Sequence, residues 1–160
     1  MSVDASQFKN ALKLWGSGVT VVTAYSADGP KGMTATSFSS VSVEPPQVLV
    51  CLNENTETGT VVLEQQVFAI NILNTEQQAV SNEFAGAANQ ELRFAATVWQ
   101  RGDLGAPILK EALASLECRV VQQVKAGTHW IVIGEVQTVI CRSGEPLMYY
   151  NGAYRKLLLD

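Results

Sequence analysis

The chain has a single histidine and only three cysteines among its 160 residues, with no Cys-x-x-Cys spacing. A structural zinc site takes four cysteine or histidine ligands, which usually come in closely spaced pairs. Cys51, Cys118 and Cys141 are far apart, and two of them lie in apolar segments typical of strands. These observations exclude a zinc centre and a disulfide framework. They predict reduced, buried thiols and no bound metal.

The chain is also poor in charge, since charged residues make up 16% of it and apolar residues 47%. The formal net charge is −4, and Arg155-Lys156 is the only adjacent pair among the eleven basic residues. Nucleic-acid binding needs clustered lysine and arginine, so a nucleic-acid partner is excluded. So little surface charge also predicts exposed apolar area, which a homodimer would bury between its subunits.

Long hydrophobic runs are absent as well. The longest apolar runs have strand length, well short of the ~20 residues of a membrane-spanning helix. Residues 1–13 contain Asp4 and no apolar signal core, so we expect no export signal, no membrane contact and a cytoplasmic location. A length of 160 residues fits one domain, so we expect residues 1–160 to form a single domain.

The most informative segment that is present is residues 32–42, where six of eleven side chains carry a hydroxyl. These are Thr34, Thr36, Ser37, Ser39, Ser40 and Ser42. The segment lies between two apolar runs, residues 19–24 and 47–52, that are typical of buried strands. Small side chains and hydroxyls let a flat, phosphate-bearing ligand lie close to the backbone. The same composition is equally typical of a solvent-facing strand or a loop, and both interpretations stay open here.

The remaining pattern predicts many short strands and a few short helices. An amphipathic helix is predicted over residues 6–14, and shorter helices over residues 60–65 and after the capping-box sequence at residues 75–78. The apolar face of the first helix comprises Phe8, Ala11, Leu12 and Trp15. Six or seven strands without a repeated β-α-β period predict an antiparallel barrel or an α+β fold.

Two catalytic classes are disfavoured by what the chain lacks. Gly16-Ser17-Gly18 begins like a dinucleotide-binding fingerprint, but Val21 stands where the third glycine belongs, and a strand follows instead of a helix. A serine hydrolase is disfavoured because there is no Gly-x-Ser-x-Gly motif and only His129 is available as a base. Any nicotinamide cofactor must therefore be held by something other than a Rossmann fold.

Seven segments resemble, in the same order, the flavin reductase family of split-barrel NAD(P)H:flavin oxidoreductases. They are residues 18–24 (GVTVVTA), 32–38 (GMTATSF), 45–51 (PPQVLVC), 68–73 (FAINIL), 116–120 (LECRV), 133–136 (IGEV) and 146–155 (PLMYYNGAYR). The resemblance implies a mainly β or α+β fold, an antiparallel, Greek-key-like, FMN-binding split β-barrel with short flanking helices. It also implies a homodimeric enzyme that reduces FMN or FAD with NADH or NADPH. The reduced flavin would serve the partner oxygenase of a two-component monooxygenase.

The resemblance further assigns residues to the two ligands. The flavin contacts it implies are Met33, Thr34, Ala35, Thr36, Ser37, Cys51, Leu52, Asn53, Thr58, Phe84 and Arg93. The nicotinamide contacts it implies are Gly32, His129 and Tyr154, with His129 as the catalytic residue. The flavin phosphate would lie near residues 53–59, where a predicted helix begins with free N–H groups. From the residues alone, that segment is equally well explained as an ordinary helix cap.

The chain departs from the family pattern at three positions near these residues. Thr128 and Trp130 flank His129 where aspartate and a small hydroxyl residue are common, and Ala95 follows Arg93-Phe94 where glycine is frequent. Hydride transfer between nicotinamide and flavin needs no acid–base pair in the protein, which agrees with the absence of one. A flavin- or haem-binding barrel without turnover, and a hydrolase that uses His129, remain the alternatives.

Overall fold

Strands dominate the computed structural model, which describes residues 2–160 and holds four short helices and twelve strands there. The helices are α1 (Ala5–Leu12), α2 (Glu57–Gln65), α3 (Gln78–Ala85) and α4 (Gln90–Ala95). The strands are β1 (Ser17–Gly18), β2 (Thr20–Ser26), β3 (Gly29–Ala35), β4 (Phe38–Ser42), β5 (Gln47–Asn53), β6 (Val67–Ile72), β7 (Trp99–Arg101), β8 (Pro107–Leu109), β9 (Ala114–Ala126), β10 (His129–Cys141), β11 (Met148–Tyr150) and β12 (Ala153–Arg155). Within residues 2–160, no helix combines the length and apolar character needed to cross a membrane.

Seven strands form the main sheet in the order β3-β2-β6-β9-β10-β5-β4, and all neighbours pair antiparallel. Strands β3 and β4 lie at opposite ends of this order, yet only Thr36 and Ser37 separate them in the chain. So short a connection requires the sheet to curl until its edges meet. The Cys51 N–H in β5 donates to the Ser37 carbonyl at 3.2 Å, which extends the β4–β5 pairing into this connection. The predicted antiparallel barrel with short flanking helices is confirmed.

The interior of the barrel is filled by alternate residues of its strands. In β5, Val48, Val50 and Leu52 are buried, while the residues between them are partly exposed. This period of two places one side of each strand in the core and the other outside the barrel. Gly134 in β10 makes room for a large ring, since a Cβ there would lie 2.5 Å from the Phe68 side chain. Because the residues of β5 alternate between the core and the outside, the outer face of β5 is left for other contacts.

A second apolar layer lies outside the barrel, where α3 and α4 cover strand β3. Phe84 in α3 and Phe94 in α4 are 1% and 4% exposed, and their rings meet edge to face with centroids 5.0 Å apart. Two smaller sheets complete the fold, one of β1, β11 and β12 and one of β7 and β8. The helical layer fixes the position of the edge strand β3, which carries the hydroxyl-rich segment.

Asn71 in β6 is a fully buried polar residue whose amide is completely used. Its Nδ2 donates to the Val21 carbonyl at 3.2 Å and to Thr23 Oγ1 at 3.1 Å. Its Oδ1 accepts from the Leu109 N–H at 3.0 Å and from Ser115 Oγ at 2.9 Å. Because a buried amide is tolerated only when its hydrogen bonds are made, this network ties β2, β6, β8 and β9 into one arrangement.

Helix boundaries differ from the predicted ones for local reasons. Helix α1 starts at Ala5, one residue before the predicted helix, because the Asp4 carboxylate accepts from the N–H groups of Ser6 and Gln7. Helix α2 begins three residues before its predicted start. The capping box predicted at residues 75–78 is wrong, since Gln77 precedes α3 and its Oε1 accepts instead from the Asn74 N–H at 3.0 Å.

The three cysteines are free thiols in different environments. Cys118 is buried, and burial together with the neighbouring Glu117 charge raises the pKa of its thiol to about 12. Such a thiol stays protonated and unreactive near neutral pH. Cys51 is half-buried and Cys141 is exposed. The prediction of buried thiols is therefore wrong for Cys141, which lies at the end of β10, where pairing with β9 ends.

Candidate functional site

A cavity of about 690 Å³ lies where β4 and β5 face α1 and the β11–β12 hairpin. Its walls comprise Lys9, Leu12, Lys13, Trp15, Ser17, Thr36, Ser37, Phe38, Ser39, Leu49, Cys51, Tyr149, Asn151 and Gly152. One wall is made of small hydroxyl residues, and the opposite one carries the side chains of Trp15, Leu12 and Tyr149. The volume lies within the range of small-molecule sites, which are mostly apolar clefts with a few polar groups.

Three of the predicted flavin contacts, Thr36, Ser37 and Cys51, meet in this cavity. The Ser37 hydroxyl donates to the Cys51 carbonyl at 2.9 Å, so the two-residue link between β3 and β4 is fixed to β5. Thr36 and Ser37 are exposed there. The hydroxyl-rich segment is therefore two strands joined by this link, and the link forms one side of a ligand-sized space.

The same face of the sheet continues to His129 and Asn53. Cys51 and Asn53 are two residues apart in β5, so their side chains share a face, and His129 pairs directly with Asn53 across the ladder. The imidazole is exposed, and its Nδ1 forms a hydrogen bond with Thr128 Oγ1 at 2.9 Å. A ligand in this region would therefore meet the Nε2 side of the ring. His129 and Asn53 are far apart in the sequence, and the structure brings them together on neighbouring strands.

The first turn of α2 follows directly after β5 and has unused hydrogen-bonding groups. Thr56 caps the helix, and its Oγ1 accepts from the Gly59 N–H at 3.1 Å. The N–H groups that open a helix have no partner within it and carry partial positive charge. Thr58 is 1% exposed, and within residues 2–160 its hydroxyl has no hydrogen-bond partner. The N–H groups of this turn therefore suit a phosphate, whereas the buried Thr58 hydroxyl lines neither cavity and its flavin contact stays a prediction.

A second cavity, of about 580 Å³, opens beside the start of α2. It is lined by Asp28, Pro30, Lys31, Glu57, Asn89, Gln90, Glu91, Phe94, Ala95 and Trp99. Across it, the Lys31 ammonium and the Glu57 carboxylate form an ion pair at 3.1 Å. The cavity therefore lies between the start of α2, strand β3 and helix α4.

Comparison with known families agrees with this geometry. A model described as the flavin reductase like domain matches residues 12–158. The chain belongs to the flavin reductase family. FMN reductase (NADH) RutF from Escherichia coli O45:K1 (strain S88 / ExPEC) is 37% identical over 158 residues, which are 98% of this chain and 96% of the relative. The predicted family and the predicted enzyme class, a flavin reductase, are confirmed.

Solved structures of flavin reductases have the same fold. The NADH:FAD oxidoreductase SgcE6 from Streptomyces globisporus C-1027, in complex with NAD and FAD fragments, matches with a TM-score of 0.92 and 32% identity, covering 100% of this chain and 98% of that one. Nitrilotriacetate monooxygenase component B from Mycobacterium thermoresistibile matches with a TM-score of 0.90 and 31% identity, covering 96% and 86%. These likenesses confirm the predicted split barrel.

Gly32, predicted from the flavin reductase resemblance to contact nicotinamide, is enclosed by the helical layer. A Cβ at this position would lie 2.6 Å from the Phe84 ring. Its N–H donates to Gln90 Oε1 at 2.8 Å, and its carbonyl accepts from Arg93 Nη1 at 2.7 Å. Both polar groups of Gly32 are already used within the chain, and its direct contact with nicotinamide stays a prediction.

Phe84 and Arg93, predicted to contact the flavin, also belong to this supporting layer. Phe84 is 1% exposed and packs in the core. Besides its bond to Gly32, the Arg93 guanidinium donates to the carbonyls of Ala88 at 2.9 Å and Gly86 at 2.7 Å. These side chains hold β3 and the α3–α4 connection together, and their contacts with the flavin stay predictions.

The other predicted contacts differ in what they can offer a ligand. Ala35 and Leu52 are buried in the barrel core, where Met33 also packs, so these residues can meet a flavin mainly through their backbone. Thr34 Oγ1 donates to the Ser81 carbonyl at 2.7 Å, and Tyr154 Oη bonds to Ser81 Oγ at 2.7 Å. The side chains of Thr34 and Tyr154 are thus engaged with α3, and their ligand contacts stay predictions.

Sequence reasoning missed one wall of the cavity. Leu12 and Trp15 were assigned to an apolar helix face, but α1 buries none of its residues, and these side chains face the cavity. Tyr149 joins them from β11. The signal was present in the apolar spacing of the helix, which does not reveal whether the face meets a core, a ligand or a second subunit.

Proposed function

We propose that this flavin reductase catalyses the NADH-dependent reduction of FMN and supplies reduced flavin to a partner oxygenase. The observation that carries this proposal is the cavity in which Thr36, Ser37 and Cys51 meet, on the strand β5 that α2 follows in the chain. A relative named FMN reductase (NADH), 37% identical over 98% of this chain, supports the two ligands. The likeness to a monooxygenase component B supports the oxygenase partner.

The residues present fit a flavin phosphate. A flat ring system can lie against the small side chains and backbone of residues 36–37, with Trp15 and Tyr149 opposite. The opening N–H groups of α2, the helix that follows β5, would provide donors for the phosphate. When bound, FMN supplies the ring that accepts a hydride from NADH.

The protein's contribution is to bind, to orient and to exclude water. Backbone N–H groups near the link between β3 and β4 can stabilise negative charge that develops beside them, because they are already held in place. The fixed Ser37–Cys51 contact keeps this backbone rigid. His129 pairs with Asn53 across the ladder, and its proposed role is to orient the nicotinamide. Such positioning accounts for turnover without a nucleophile or an acid–base pair.

The expected result in a steady-state assay is NADH oxidation that requires added FMN. NADPH and FAD are the tested alternatives, since a solved relative is named an NADH:FAD oxidoreductase. Initial rates at 340 nm would be compared for both nucleotides with FMN, FAD and riboflavin, with a flavin-free reaction as control. Absence of flavin-dependent oxidation with every combination would contradict the proposed function.

The proposal includes a homodimer of single-domain subunits, residues 1–160, in the cytoplasm. Its support is the exposed apolar surface of α1 and of the turn after it, where Phe8, Leu12 and Trp15 are 57%, 54% and 78% exposed. Apolar area of this kind is typical of a subunit interface. The helix lies beside the cavity, so a second subunit placed there would also close the site.

Light scattering at micromolar concentration is expected to give about twice the chain mass of 17.3 kDa. Trp15→Glu should shift the mass towards 17.3 kDa, because a buried unpaired charge opposes association. Gln7→Glu, an exposed change on the preceding helix α1, is the matched control and should remain dimeric. A monomeric parent with full activity would contradict the dimer.

A further inference from the structure

The hydroxyl of Tyr154 ties the β11–β12 hairpin to helix α3. It donates to Asn82 Oδ1 at 2.9 Å and lies 2.7 Å from Ser81 Oγ. A tyrosine hydroxyl has one hydrogen, so Ser81 is the donor in the second bond. Ser81 is fully buried, and its carbonyl accepts from Thr34 Oγ1 in β3 at 2.7 Å. Because β3 leads directly into residues 36–37, one residue of α3 joins the hairpin to the β3–β4 link.

The ring of Tyr154 contacts the aromatic wall of the 690 Å³ cavity. Tyr149 lines that cavity and pairs directly with Tyr154 across the hairpin. Their rings meet edge to face with centroids 5.4 Å apart, which is a favoured arrangement for two aromatic rings. Asn151 and Gly152 close the hairpin with φ values of 51° and 76°, and both also line the cavity. Two positive φ values are typical of a tight type I′ turn, so the hairpin is a compact unit.

We propose that Tyr154 is a positioning residue, which sets the distance between the Tyr149 ring and the small-residue wall at Thr36 and Ser37. This inference rests on the proposed function, because that function assigns the flavin ring to this cavity. Tyr149 is 36% exposed, whereas Tyr154 is half-buried and packs against the core that contains Phe84. The wall residue is thus supported by a better-packed one. A flat ring bound between the two walls depends on their spacing.

The test is a double-mutant cycle on the dissociation constant of oxidised FMN, measured by fluorescence quenching. Tyr154→Phe keeps the ring but removes the acceptor of the buried Ser81 hydroxyl, so the constant should rise about fivefold. Tyr149→Ala removes the wall itself and should raise the constant about tenfold. Adding Tyr154→Phe to Tyr149→Ala should change it by less than about twofold, because the wall that Tyr154 positions is then absent.

The melting temperature separates positioning from a purely structural role. Tyr154→Phe should lower it in the parent and in Tyr149→Ala alike, since the bonds to α3 are lost in both. Ser81→Ala breaks one of these bonds without changing the hairpin, and should raise the FMN dissociation constant about threefold. Tyr150→Phe is the matched control, because Tyr150 is exposed on the same hairpin and does not line the cavity. Its FMN dissociation constant should equal that of the parent.

Three results would overturn the inference. The first is an unchanged FMN dissociation constant in Tyr154→Phe. The second is a double variant in which the two single effects multiply in full, since Tyr154 would then act independently of Tyr149. The third is a higher KM for NADH in Tyr154→Phe with unchanged FMN binding, which would indicate a direct contact with nicotinamide. Failure of the proposed function has a different signature, since the parent would then bind no FMN and show no flavin-dependent NADH oxidation.

Discussion

Thr36→Trp is expected to weaken FMN binding by about 100-fold, which corresponds to about 2.8 kcal/mol. Thr36 is exposed and lines the 690 Å³ cavity on the side of the β3–β4 link. An indole there would fill the space opposite Trp15 without entering the barrel core. Titration of oxidised FMN by calorimetry or fluorescence quenching would give the dissociation constant, and the melting temperature should stay near that of the parent.

Ser40→Trp is the control for this substitution, because Ser40 is exposed on β4 and does not line the cavity. Its FMN affinity should be unchanged. Ala35 is a poorer choice of position, since it is 8% exposed and packs in the barrel core, where an indole would disturb folding. Parental FMN affinity in Thr36→Trp would mean that the flavin binds elsewhere on the molecule.

The barrel could be predicted from the sequence because its signals are local. Alternating burial in β5 follows from alternating side chains, and the absence of a β-α-β period excluded a parallel sheet. The interruption between β3 and β4 at residues 36–37 could not be predicted from strand propensity, because hydroxyl residues suit a strand as well as a connecting segment. The break exists because the two sheet edges must join, which is a property of the whole sheet.

The site residues were predicted from the family pattern, and packing adds what that pattern lacks. Residues that support a ligand strand and residues that touch the ligand occupy neighbouring positions in a family pattern. Only packing separates them. Gly32 and Phe84 lie against each other because α3 folds over β3, a contact between residues 52 positions apart. Lys31 and Glu57 are 26 positions apart, and no local pattern indicates their ion pair.

His129→Asn is expected to lower kcat/KM for NADH by about 10²-fold, the usual scale for losing a positioned imidazole. Asn retains a polar group but cannot place it where Nε2 lies. The FMN dissociation constant should stay within about twofold of the parent value. The imidazole is exposed at the first residue of β10 and does not line the cavity that holds Thr36. The measurement is stopped-flow reduction of bound FMN against NADH concentration.

The concentration dependence separates two roles for this side chain. A change confined to the NADH concentration at half-maximal rate identifies His129 as a positioning residue, whereas a lower limiting rate shows interaction with the transition state.

Thr128→Val removes the 2.9 Å bond at Nδ1 and should give a smaller effect in the same direction, since the ring remains but loses its orientation. Gln122→Ala, exposed on the neighbouring strand β9, is the control and should behave like the parent. Unchanged NADH affinity and an unchanged limiting rate in His129→Asn would mean that the nicotinamide does not bind against the first residues of β10. The pairing of His129 with Asn53 would then contribute only to the sheet.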